Sequence, residues 1–175
     1  MDQASTDLRP LLVDLLPRLR RFAYSLTGAR DTADDLTQAA ILKALDKSGA
    51  YAAGTRFDSW MFMLMKNLWI DQLRAKAVRG PVVDPDDYVH IPGTDGRDET
   101  ETRLMAAKAR QAMQTLPPEQ RAVVSLVLVE GYAYREAAEI LEVPLGTVMS
   151  RLARARQAII AFMQGNGAGQ KAVLS

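Results

Sequence analysis

The chain has no cysteine, and His90 is the only histidine among its 175 residues. Without thiols it forms no disulfide and no thiolate zinc site, a composition suited to a reducing compartment. One imidazole excludes a histidine metal cluster and leaves no basis for a Ser-His-Asp triad. Long uncharged apolar runs are also missing: none approaches the roughly 18 residues that a membrane span requires. Asp2 and Asp7 come early, and no apolar stretch follows a basic one as in a secretory leader. The expectation is a soluble, cytoplasmic protein without membrane insertion. An excess of one charge is lacking too. Lys and Arg total 22 against 21 Asp and Glu, for a net charge of +1. Any contact with nucleic acid must therefore come from local basic patches.

What the chain does have is helical periodicity. Leu8, Leu11, Leu12, Leu15, Leu16, Leu19, Phe22, Ala23 and Leu26 fall at three-and-four spacing, which predicts an amphipathic helix ending at Gly28. Pro10 suits its first turn, while Pro17 is expected to kink or break it. A second helix is predicted from Thr32 as N-cap, with Asp34 and Asp35 in its first turn, to a stop before Gly49. A loop over 49–56 precedes a third helix over 57–77, whose inner face reads as Phe57, Trp60, Met61, Leu64, Leu68 and Leu73. Trp60 lies on this apolar stripe and reads as core; Trp69 fits core or stacking surface equally. No segment alternates at period two for long enough to argue for a strand.

Residues 80–100 break the pattern. Pro81, Pro85, Pro92, Gly93 and Gly96 stand among Asp84, Asp86, Asp87, Asp95, Asp98 and Glu99, with Arg97 the lone cation. This reads as an acidic, extended linker and a domain boundary. Four further helical runs follow, over 101–115, 118–130, 134–141 and 145–162, and the glycine-rich tail from Gly165 reads as flexible. The fold class expected is all-α: two small helical domains, 1–79 and 101–165, joined by the linker and followed by a tail, 166–175.

The strongest functional pattern is the helix pair around Glu142, Val143 and Pro144. A short helix, a tight turn and a second helix with Val148 and Leu152 facing inward give helix-turn-helix spacing. The second helix carries Arg151, Arg154 and Arg156 with no acid between Leu145 and Phe162, which suits phosphate binding by counterion release. Thr147, Met149 and Ser150 lie near its N-terminal end, where base edges are met. The bland alternative is a solvated basic face of a bundle helix.

The run Leu116-Pro117-Pro118-Glu119-Gln120-Arg121, then Gly131-Tyr132, Glu136-Ala137-Ala138-Glu139-Ile140-Leu141 and Val143-Pro144-Leu145-Gly146-Thr147-Val148-Met149-Ser150-Arg151-Leu152-Ala153-Arg154-Ala155-Arg156, resembles domain 4 of the extracytoplasmic-function (ECF) sigma factors. Independently, Leu16 to Gly28, Asp34-Asp35-Leu36-Thr37-Gln38, Phe57, Trp60-Met61-Phe62 and Lys66 to Arg74 resemble domain 2 of that family. The resemblance spans about Pro10 to Phe162 and implies a non-enzymatic initiation factor. Such a factor binds core RNA polymerase and directs it to promoter DNA.

On that resemblance, Met149, Ser150, Ala153 and Arg154 face bases and phosphates of the −35 element, with Thr147 nearby and Arg151 and Arg156 as phosphate contacts or braces. Asp35, Leu36 and Gln38 contact the polymerase β′ clamp helices, and domain 4 engages the β flap. Asn67 reads melted −10 bases beside the cations Lys66, Arg74 and Lys76, with the loop Tyr51 to Arg56 shaping the pocket. The linker is either a plain solvated tether or, as in the family, a segment threading the polymerase cleft. Family members are often held by an anti-sigma factor covering both domains. No cofactor or metal is implied.

Departures from the family pattern are Ala133 for a capping Ser, Glu142 for a turn Gly, Met149 for an Arg and Ala39 for a Glu. Glu142 is expected to strain the turn if positive φ is required, and Met149 cannot form a bidentate contact to guanine. The closest rival is a helix-turn-helix regulator of LuxR type, which would leave the first half of the chain unexplained. An enzyme or a bare helical scaffold is a further alternative.

Overall fold

In the computed structural model, residues 7–80 and 97–168 are described, with side chains over 7–80 and 100–165. Residues 1–6, most of the acidic linker (81–96, including His90) and the end of the glycine tail (169–175) lie outside the described residues. The elements run α1 (Arg9–Thr27), α2 (Arg30–Asp46), a 3₁₀ turn (Ser48–Ala50), α3 (Phe57–Arg79), α4 (Arg97–Thr115), α5 (Pro118–Val124) widening into a π turn (Ser125–Val129), α6 (Tyr134–Leu141) and α7 (Leu145–Ala168). No strand occurs among the described residues, so the all-α expectation holds.

Helix α1 forms on the predicted stripe: Leu12, Leu15, Leu19, Phe22, Ala23 and Leu26 are buried. Pro17 lies inside α1 without ending it, contrary to expectation. Its missing N–H leaves the Val13 carbonyl unpaired, but Pro17 and Val13 are both on the exposed side. Water there can satisfy the freed carbonyl while Leu15 and Leu19 hold the helix to the core. Gly28 closes α1 at φ 77°, donating its N–H to Tyr24 O at 2.8 Å. A Cβ there would meet Gln114 of α4 at 2.6 Å, so the glycine serves both the left-handed cap and a close inter-helix approach.

The second helix starts earlier than Thr32. Ala29 is its N-cap, without a side-chain cap, and Asp31 is the acid in its first turn. Asp34 is instead 3.3 Å from Arg20 of α1, a half-exposed pair. Helix α3 is rotated from the predicted stripe: Met61, Phe62, Leu64, Met65 and Trp69 are buried. Trp60, expected in the core, is only partly buried, and Trp69 is 3% exposed. The sequence stripe missed this because α3 packs against α1, α2 and α6, not against one neighbour.

Two boundaries also move. Helix α4 begins at Arg97, within the predicted linker, and α7 runs to Ala168, past Gly165 and Gly167, into the predicted tail. Glycine lowers helix propensity by about 1 kcal/mol per residue without forbidding propagation. On α4, Leu104 and Met105 are exposed, and Ala112 is the buried anchor.

The two halves share one core. Leu19, Phe22 and Phe62 belong to the same buried cluster as Leu126, Tyr132, Val148 and Leu152. Helix α1 contacts α4, α5 and the π turn, and α3 contacts α6.

Candidate nucleic-acid interface

The helix-turn-helix is built as the spacing predicts. Ala137, Ala138, Ile140 and Leu141 of α6 are buried, as are Val148, Leu152 and Ala155 of α7. The two helices are joined at Glu142, which sits at φ 56° and ψ 43°, and the Val143 N–H donates to Ala138 O at 3.0 Å. The left-handed turn thus carries a Cβ, the strain expected at this position. Glu142→Gly is expected to stabilise the protein by about 0.5–1 kcal/mol, read as a rise of ~2–3 °C in thermal midpoint; no rise would show that the turn is unstrained. At the start of α6, Ala133 offers no side-chain cap, but its N–H donates to Glu136 Oε2 at 2.9 Å. Half of a capping box remains.

On α7, Met149, Ser150, Ala153, Arg154 and Arg156 are exposed together, Thr147 is half-buried, and Met149 is 53% exposed. The Ser150 hydroxyl donates to Thr147 O at 3.1 Å. Arg151 differs from its neighbours: its guanidinium is 3.3 Å from Glu119 of α5 and only 23% of its side chain is exposed. Arg151 thus pairs with an acid of the same module, while Arg154 and Arg156 are exposed.

The other predicted DNA set is split. Asn67, Arg74 and Lys76 are exposed along one side of α3, and Arg74 is 3.9 Å from Asp71. Lys66 is half-buried, and burial lowers its pKa despite the opposing charge of Glu142 nearby. Tyr51 is half-buried in an aromatic cluster, its ring 5.3 Å from Phe57 and 5.5 Å from Trp60, with its hydroxyl donating to Thr55 O at 2.8 Å. Arg56 is engaged by acids on both sides, donating to Asp58 at 3.0 Å and to Glu136 of α6. Thr55, Arg56, Ser59, Trp60, Met63, Glu139 and Ile140 line a cleft of about 330 Å³ between α3 and α6.

On α2, Asp35 and Gln38 are exposed, but Leu36 is not a surface residue: it is 0% exposed. The apolar side chains that α2 presents to solvent are Leu42, 68% exposed, and Leu45, 40% exposed.

Residues that the sequence pattern did not single out form the contact between the halves. Glu130, fully buried at its carboxylate, accepts from Arg21 Nε and Nη2 at 2.8 and 2.9 Å and from Arg18 Nε at 3.2 Å. Arg18 also donates to Asp58 at 3.3 Å and to the Tyr132 hydroxyl at 3.0 Å. Tyr132 donates to Asp58 Oδ2 at 2.5 Å, and its ring meets Phe62 edge-on at 5.7 Å. Ser25 and Ser125 place their hydroxyl oxygens 2.8 Å apart. A second anchor is Arg121, donating to Leu26 O and to the Gln114 side chain, both at 2.8 Å, and to Gln114 O and Leu116 O at 2.9 and 3.0 Å.

Burial raises the Asp58 pKa, but hydrogen bonds from Arg56, Tyr132 and the Ser59 amide outweigh it and bring it from 3.8 to about 2. A depressed carboxylate stabilises the fold above its unfolded pKa and loses that contribution as pH falls through its folded one. Stability is therefore expected to hold above pH ~4 and to fall between pH ~4 and ~2 with an Asp58-dependent component. Acid titration of unfolding in parent and Asp58→Asn checks this; identical profiles would remove Asp58 from the account. Burial and the Asp58 carboxylate push the Tyr132 phenol up to about 12, so it stays a donor over the same range.

The arrangement thus defines a class: an all-α protein, strand-free among the described residues, of two modules, one carrying a basic helix-turn-helix, the other a basic helix beside an aromatic loop. Comparison with known proteins gives the family. Residues 11–79 match the model of Sigma-70 region 2, and residues 106–159 that of Sigma-70, region 4. The ECF RNA polymerase sigma factor EcfG of Rhodopseudomonas palustris is 34% identical over 161 residues, covering 92% of this chain and 87% of the relative. SigE of Mycolicibacterium smegmatis, also an ECF RNA polymerase sigma factor, is 37% identical over 143 residues; the match covers 80% of this chain and only 55% of that longer protein.

The sigma factor RpoE, solved in complex with the anti-sigma factor NepR from Bartonella quintana, superposes with a TM-score of 0.70 at 30% identity, covering 90% of this chain and 97% of RpoE. CnrH, solved with the cytosolic domain of CnrY, shares the fold with a TM-score of 0.65 at 20% identity over 93% of this chain and 94% of CnrH. The chain belongs to the ECF group of RNA polymerase sigma factors. The two regions match in order along one chain, which the LuxR-type alternative does not explain. Among the described residues, no helix is long and apolar enough to cross a membrane.

Proposed function

We propose that this protein binds core RNA polymerase through α2, places α7 in the major groove of a −35 element and captures melted −10 bases on α3. The observation that carries the −35 assignment is the joint exposure of Met149, Ser150, Ala153, Arg154 and Arg156 on a helix whose opposite face, Val148, Leu152 and Ala155, is buried. Cations on that face supply affinity by releasing counterions, and the side chains at the N-terminal end select bases. Asn67, exposed between Lys66 and the cations Arg74 and Lys76, is placed to read an unstacked base while the cations hold the strand. Binding energy for the single-stranded form, not bond cleavage, drives melting. The β flap and the β′ clamp helices are the polymerase surfaces expected to receive the second and first modules.

Arg154→Ala tests the −35 assignment. It is expected to weaken duplex binding several-fold and to lower the slope of log affinity against log salt by about 1. Arg151→Ala, whose guanidinium already pairs with Glu119, is expected to cost stability more than salt slope. An unchanged slope in Arg154→Ala would take that residue off the contact surface. An anti-sigma partner is supported by the relative RpoE, whose structure holds the anti-sigma factor NepR.

A further inference from the structure

We propose that Met149, with the methyl of Ala153 beside it, reads a thymine by its C5 methyl group. The base preference of this chain at that step is then set by apolar contact in place of a guanidinium fork on guanine. The inference rests on the reading that α7 lies in the major groove of a −35 duplex.

Successive side chains on a helix are about 100° apart. Gly146, Ser150, Ala153 and Gln157 therefore form one row on α7, opposite the buried Val148, Leu152 and Ala155, and all four are exposed and uncharged. Arg156 flanks the row on one side and Arg154 on the other, about 160° apart around the axis. Cations so placed can each meet the phosphates of one strand bordering a groove, while the ridge between them meets base edges. Gly146 has no positive φ, and a Cβ there would meet nothing within 4 Å. Nothing inside the fold requires that glycine; the bare backbone leaves room for DNA at the first turn of α7.

Guanine is read by Arg or Lys, adenine by a side-chain amide and cytosine by a carboxylate. The first two turns of α7 offer none of these to the groove. Arg151 is held by Glu119 at 3.3 Å, and the Ser150 hydroxyl donates to Thr147 O at 3.1 Å. What remains is the Met149 side chain, 53% exposed and one helical turn before the exposed Ala153. The base feature that an apolar side chain selects in the major groove is the thymine methyl. An unbranched, polarisable thioether adapts its shape to it.

The test uses the full-length chain with core polymerase, which first selects promoters from a pool randomised over the −35 segment. Each thymine of the selected element, on either strand, is then replaced by deoxyuridine, which removes the C5 methyl and keeps the hydrogen-bonding edge. At one position the replacement is expected to weaken promoter binding about 4-fold, the worth of one buried methyl group. Met149→Ala should bind thymine and uracil there equally, and Met149→Arg should move the selected base to guanine. Both substitutions fall on an exposed position and leave the core intact. A selected element with no uracil-sensitive thymine, or a sensitivity that survives Met149→Ala, would overturn the proposal. Enrichment of −10 sequences with no −35 sequence would sink the groove reading itself, and the proposal with it.

Discussion

Leu36→Asp is expected to unfold the first module, whereas Leu42→Asp should leave it folded and abolish binding to core polymerase. Both residues lie on α2, six positions apart, yet Leu36 is 0% exposed and Leu42 is 68% exposed. Leu36 packs in the cluster with Leu19, Phe22 and Phe62. An ionised carboxylate in that apolar cluster would be stripped of water, and the loss of apolar burial adds to its desolvation, a cost of at least ~4–5 kcal/mol. That is comparable to the whole stability of many domains. Leu42, with Leu45, is available to a partner, and a charge at the centre of a docking surface commonly costs several kcal/mol of binding. Circular dichroism separates the outcomes first, and a pull-down with core polymerase follows. A folded Leu36→Asp protein that lacks polymerase binding would return Leu36 to the contact surface, and a Leu42→Asp protein with full affinity would move the docking surface away from α2.

Arg121→Ala carries the second large effect. One guanidinium satisfies the carbonyls of Leu26, Gln114 and Leu116 and the Gln114 side chain, and lies 5.5 Å over the Trp69 ring. Burial lowers its pKa, and its Nε has no hydrogen-bond partner, so the site spends desolvation in order to tie α1, α4 and α5 at one point. Truncation leaves several acceptors unpaired and uncovers Trp69, which predicts a loss of about 2–4 kcal/mol in urea unfolding. Arg121→Lys keeps the charge but not the fork and should recover less than half of it. If the alanine variant loses less than ~1 kcal/mol, water replaces the guanidinium and the anchor is dispensable.

Much of this was legible in the sequence because amphipathic spacing and helix-turn-helix spacing are local. The stripe from Leu12 to Leu26 and the inward set Val148 and Leu152 are read from periodicity alone, and both are buried. The left-handed Glu142 was legible as a departure from an expected glycine. What periodicity could not supply was the choice among several packing neighbours. Trp60 and Trp69 lie nine residues apart on α3, and only the contacts with α1, α2 and α6 decide that Trp69 is the buried one. Leu36 fits the docking motif of the family and the core equally well in one dimension.

The inter-module contact was less legible still, since Arg18 and Glu130 are 112 residues apart in sequence. Its local traces are a serine, Ser125, within the apolar run from Ala122 to Val129, and a charge, Glu130, directly after that run. Pro17 misled because its solvent-facing position inside α1 is a tertiary fact.

The measurement that bears most directly on the central claim is run-off transcription by core RNA polymerase on a randomised promoter library, with and without the purified chain and with no inhibitor present. The chain should enable initiation on a subset of templates sharing two short elements about 25 base pairs apart, ~85 Å along the duplex. RNA synthesis no greater with the chain than without it, on every template, would contradict the account.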